Sequence, residues 1–113
     1  MTQASSDLQQ LVAASGDAAD LHATVPTLLL ELQTLLGSLT ATVNAETERG
    51  RRPYRPGADW PNRLGDLAYG VYLLADQTGV DVAAAVRRTA DQLRLQGSRA
   101  RATAEGDWPF EAH

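Results

Sequence analysis

The side chains able to do chemistry are few, and the missing ones narrow the field first. The chain has no cysteine, so disulfides, thiolate zinc sites and a cysteine nucleophile are excluded. All ten basic residues are arginines, which removes Schiff-base and lysine general-base chemistry. His22 and His113 lie at opposite ends of the sequence, so no histidine-based metal cluster is visible, and His22 is assigned no role. Glutamate is scarce: Glu31, Glu46, Glu48, Glu105 and Glu111 are the full set. One local concentration of chemistry stands out. Arg49, Arg51, Arg52 and Arg55 fall within a short stretch that also carries Tyr54 and leads to Trp60. Guanidinium groups bind phosphates or an acidic partner, and the two rings can stack a nucleobase. The plainer reading is a solvated charged loop whose rings pack on the following helix. It is favoured for the arginines and stands level for the rings.

The elements that must position these residues are helical throughout. The 113 residues are enough for one domain with a single core. Hydrophobic residues make up 43% and charged residues 21%, which excludes a disordered chain. The net charge of −4 argues against DNA or any nucleic acid as the main partner. The longest apolar run, Leu28-Leu29-Leu30, is cut by Glu31, so no membrane span is expected. The opening MTQASSDLQQ has no basic region before an apolar stretch, so no secretory signal is expected and a cytoplasmic location follows. No stretch alternates like a strand. Nineteen alanines, sixteen leucines and the absence of isoleucine and lysine fit a high-GC coding bias.

A first helix is expected from Asp7 to about Ala14, capped by Asp7 and ended by Ser15-Gly16-Asp17. A second has Thr24 as cap and Pro26 in its first turn, and runs to about Val43. Leu28, Leu32, Leu35, Leu36, Leu39 and Val43 share one face, while Leu29 and Leu30 widen it. A short helix apolar on more than one side needs more than one neighbour, which points to a second subunit. Asn44 to Asp59 reads as a loop. The third helix starts near Pro61, capped by Asp59 or Trp60, and stops at Gly79. Its expected inner stripe is Leu64, Leu67, Ala68, Val71, Leu74 and Ala75. Gly65 and Gly70 cost about 1 kcal/mol each against alanine, so close helix approach is expected at both. Asp81 caps a fourth helix, Val82 to about Gln96, ended by Gly97. The division is thus a flexible N-terminus (1–6), a helical domain (7–97, with the loop at 44–60 between helices two and three) and a polar tail (98–113), which Trp108 and Phe110 would tack down.

The stretch RLGDLAYGVYLLADQTGVDVAAAV, Arg63 to Val86, resembles the MazG-like nucleoside triphosphate pyrophosphohydrolases. Leu74-Ala75-Asp76 and Gly79-Val80-Asp81 match the family's helix end and turn without a gap. The approach Tyr54 to Trp60 also looks like members from high-GC bacteria, and the resemblance extends over Leu8 to Leu95. It implies an all-α MazG-like four-helix bundle that forms homodimers or tetramers. It further implies that facing EExxE and ExxD motifs hold Mg²⁺, and that a nucleoside triphosphate is cleaved to monophosphate and pyrophosphate. Magnesium seeks an octahedron of hard oxygen ligands, so several carboxylates must converge, and the ion then activates the attacking water.

Here the family's first-motif glutamates fall at Thr34, Leu35 and Ser38, and the ExxD glutamate at Arg63. Thr89 and Leu93 stand near its phosphate-binding lysine and asparagine. Of the five expected carboxylates only Asp66 remains. Glu31 shares the helix face of Thr34 and Ser38, so Glu31 and Asp66 are the candidate metal ligands, with no confident catalytic residue. Arg55, Tyr54 and Trp60 are the candidate nucleotide-binding residues. The bland readings run alongside: Asp66 paired with Arg63, Asp76 bonded to the next turn or a neighbouring helix, and Asp81 as a helix cap. Two functions follow. One is a Mg²⁺-dependent pyrophosphohydrolase. The other, favoured by residue chemistry, is an inactive relative serving as a nucleotide- or protein-binding scaffold.

Overall fold

The computed structural model describes residues 2–104. Four helices follow one another: α1 (Thr2–Ala18), α2 (Val25–Glu46), α3 (Trp60–Thr78) and α4 (Val82–Ala104), with no strand among the described residues. None of these helices is long and apolar enough to cross a membrane. The chain forms two compact units, one ending at Val80 and one beginning at Asp81.

In the first unit α1 and α2 both pack on α3. Val12 of α1, Leu28 of α2 and Leu73 of α3 meet in the core, 2–5% exposed, with Ala23, Tyr69, Tyr72 and Leu74 packed around them. Ser15 Oγ lies 2.7 Å from Tyr69 Oη and so ties α1 to α3.

Two close approaches set the spacing. Gly16 is buried in α1, and a Cβ there would come within 2.8 Å of Leu73 and 3.1 Å of His22. The expected break at Ser15-Gly16-Asp17 is therefore a point of packing, and α1 runs on to Ala18. Gly70 lies against Leu32, whose Cδ2 would meet an added Cβ at 2.6 Å, so the expected approach of α2 to α3 occurs here. Gly65, by contrast, faces open space.

Three helices end alike. Leu21 N donates to Gly16 O, Arg49 N to Asn44 O and Val80 N to Ala75 O, each closing a final six-residue loop over the helix end. The left-handed residue in each is Asp20, Glu48 or Gly79. Only Gly79 is the residue that avoids a Cβ penalty there.

The face of α3 turned inward differs from the expected stripe. Tyr69, Gly70 and Leu73 meet α1 and α2, while Leu64 and Val71 are 43% and 44% exposed and Ala68 is exposed. Two helices dock on α3, so Tyr69 and Tyr72 join Leu74 and Ala75 of the expected stripe at the core, while Leu64, Ala68 and Val71 stay outside.

In the second unit Asp81 caps α4, its Oδ1 accepting from Ala84 N at 3.2 Å. The helix passes through Gly97 to Ala104, beyond the expected end at Gln96. Trp108 and Phe110 lie outside the described residues.

Candidate functional site

Three of the positions that the resemblance sets against the metal motifs carry side chains with other engagements. Thr34 Oγ1 donates to Leu30 O of its own helix at 3.0 Å. Leu35 extends toward Gly70. Arg63 Nε donates to Asp59 Oδ2 at 2.9 Å, which corrects the expected pairing of Arg63 with Asp66. The reason is geometric: helical side chains lean toward the N-terminus, so Arg63 reaches back one turn to the residue preceding α3. Asp59, thus engaged, makes no side-chain cap bond to the helix.

Asp66 is exposed on α3, and its carboxylate makes no hydrogen bond or ion pair among the described residues. Glu31 is exposed on α2. Among the described residues no three histidine, aspartate or glutamate side chains are placed to hold one metal ion. A threonine, a leucine, a serine and an arginine are not a donor set for magnesium, which needs hard, mostly anionic oxygens. The arginine also brings positive charge to the position.

The arginine-bearing segment is built more firmly than a solvated loop. Glu48, Arg49 and Gly50 take φ of 51°, 63° and 88° in succession. Non-glycine residues in this region cost about 1–2 kcal/mol each, so the surroundings must hold them there. Thr47 does so from a buried position, 6% exposed. Its hydroxyl donates to Val43 O at 2.8 Å and accepts from Gly50 N at 3.1 Å. Arg49 N donates to Asn44 O at 2.7 Å and Arg52 N to Thr47 O at 3.0 Å.

On this frame the four arginines are exposed. Arg52 pairs with Glu48 at 3.4 Å. Among the described residues Arg49, Arg51 and Arg55 have no ion-pair partner. Glu46, Arg52, Pro53 and Arg55 line a hollow of about 370 Å³. Tyr54 and Trp60 pack on each other, ring centroids 5.2 Å apart and tilted by 57°. Trp60 opens α3, so this contact anchors the segment to the helix, as the plainer reading of the rings expects.

The one cluster not foreseen centres on His22. Its Nε2 lies 2.8 Å from Asp76 Oδ2 on α3, and its Nδ1 lies 3.1 Å from Asp17 Oδ1 on α1. The imidazole is three-quarters buried, against Gly16. The expected bond of Asp76 to the next turn or a neighbouring helix is thus replaced by one to a residue in the connection between α1 and α2. In the sequence His22 and Asp76 are separated by 54 residues, and only their meeting in space reveals the pair.

No family model, curated protein or solved structure matches the chain.

Proposed function

We propose that this chain is a MazG-like helical protein that no longer hydrolyses nucleotides and acts as a binding scaffold, taking a nucleotide at its arginine-rich turn. The observation that carries the reading is the pairing of Arg63 with Asp59 at a position where the resembling family needs a magnesium-binding glutamate. Thr34, Leu35 and Ser38 support it, because none supplies an anionic oxygen. On the binding side, Arg49, Arg51 and Arg55 offer guanidinium donors suited to phosphate oxygens. Tyr54 and Trp60 offer aromatic faces for a base at the same end of α3. The reading includes the MazG-like architecture and a homo-oligomeric state, dimer or tetramer.

The pyrophosphohydrolase reading would require Glu31 and Asp66 to serve as the ligands of a rebuilt magnesium site. Calorimetric titration with nucleoside triphosphates, with and without Mg²⁺, tests the proposal. Binding that needs no magnesium and weakens in Arg55→Ala supports it. Binding that requires magnesium and vanishes in Asp66→Ala refutes it.

A further inference from the structure

Glu46 is the last residue of α2 and leads directly into the arginine-rich turn. Its side chain is exposed and, among the described residues, makes no hydrogen bond or ion pair, although Arg49, Arg51, Arg52 and Arg55 all follow closely. Arg52 passes it by: its Nη2 lies 3.4 Å from Glu48 Oε2 and donates to the backbone oxygen of Glu46 at 3.5 Å. The place is unfavourable for a carboxylate, because the last carbonyls of a helix carry partial negative charge.

The hollow lined by Glu46, Arg52, Pro53 and Arg55 is about 370 Å³. That is at the small end of the roughly 300–1,000 Å³ of small-molecule sites. Its two uncommitted groups are of opposite kinds. Arg55, without an ion-pair partner among the described residues, offers only donors, and Glu46 offers only acceptors. Between Glu46 and Arg52 the buried Thr47 ties the turn together, its hydroxyl accepting from Gly50 N and its carbonyl from Arg52 N. The hollow is therefore shaped before any ligand arrives.

We infer that Glu46 reads the sugar of the bound nucleotide, accepting hydrogen bonds from the ribose 2′- and 3′-hydroxyls while Arg55 holds phosphate. The inference rests on the nucleotide part of the proposed function and adds to it the ligand class, a ribonucleotide. Two arguments select the sugar. The first is charge: a carboxylate repels phosphate, so the ligand must bring neutral donors to that side of the hollow. Bare polyphosphate has none to bring. The second is shape: the vicinal hydroxyls of ribose are two adjacent donors, and they match the two oxygens of one carboxylate. An acidic residue reads a ribose hydroxyl in the same way in dinucleotide-binding folds. A 2′-deoxyribose keeps only one of the two donors.

The test is calorimetric titration of the full chain with ATP, 2′-deoxy-ATP and inorganic triphosphate in magnesium-free buffer, with helix content followed by circular dichroism. The wild type is expected to bind ATP about tenfold or more tightly than 2′-deoxy-ATP, the loss that follows when one hydrogen bond to a charged group is removed. Glu46→Ala is expected to bind the two nucleotides equally, and to take inorganic triphosphate more tightly than the wild type. Arg55→Ala is expected to weaken all three ligands together. Equal binding of ATP and 2′-deoxy-ATP by the wild type, or a preference that survives Glu46→Ala, overturns the role of Glu46 and leaves the nucleotide reading standing. No binding of either nucleotide overturns the nucleotide reading and this inference with it.

Discussion

Arg63 Nε sits 2.9 Å from Asp59 Oδ2, and this pair closes the N-terminal end of α3. The contact is local, one helical turn in length, and half of it is well exposed. It holds the guanidinium away from Asp66 and fixes the approach of the preceding segment to the helix. Breaking it in Arg63→Ala is expected to cost no more than about 1 kcal/mol by chemical denaturation, as for other exposed pairs.

Introducing carboxylates at the positions that the proposed resemblance sets against the metal motifs gives a constructive test. The fourfold variant Thr34→Glu, Leu35→Glu, Ser38→Glu, Arg63→Glu supplies the anionic oxygens that magnesium demands. The expected outcome is Mg²⁺ binding by calorimetry in the variant and none in the wild type. The variant is also expected to be less stable than wild type without the ion, because like charges then crowd one face, and to recover stability when Mg²⁺ is added. Equal Mg²⁺ binding by both proteins would contradict the assignment.

His22 joins α1 to α3 through two carboxylates of unequal exposure: Asp76 is 34% exposed and Asp17 78%. Water screens the outer contact, so the inner one should carry most of the stabilisation. His22→Ala and Asp76→Ala are each expected to cost about 1–3 kcal/mol, the range for hydrogen bonds to charged groups. The double variant should cost clearly less than the sum of the two. Asp17→Ala is expected to change stability by less than about 0.5 kcal/mol. Additive effects at His22 and Asp76 would contradict the coupling.

The glycines of the two packed helices make opposite predictions. Gly65 faces open space, so Gly65→Ala should gain helix propensity and stabilise by about 0.5–1 kcal/mol. Gly16 lies under Leu73 and His22, so Gly16→Ala must displace both and should destabilise by about 1–3 kcal/mol. Thermal or denaturant unfolding of the two variants decides the matter.

These contrasts mark how far the sequence could be read. Thr24, Pro26, Gly79 and Asp81 act through neighbours a few residues away, and their helix ends lie where local rules put them. Asp20 and Glu48 close helices in the left-handed region without being glycine, held by backbone and Thr47 hydrogen bonds that residue type alone does not announce. Gly16 reads locally as a helix breaker, yet its role is set by Leu73, far along the chain. That Thr34, Leu35, Ser38 and Arg63 carry no carboxylate was legible from residue type alone. That Arg63 turns to Asp59 and not to Asp66 was not, since both lie within reach along a helix and only side-chain direction separates them.

The proposed binding of nucleotides without cleavage is tested most directly by pyrophosphate release across a panel of nucleoside triphosphates with Mg²⁺ or Mn²⁺, run beside binding measurements on the same protein. No release above the uncatalysed rate is expected, with binding that weakens in Arg55→Ala. Metal-dependent release abolished by Asp66→Ala would contradict it.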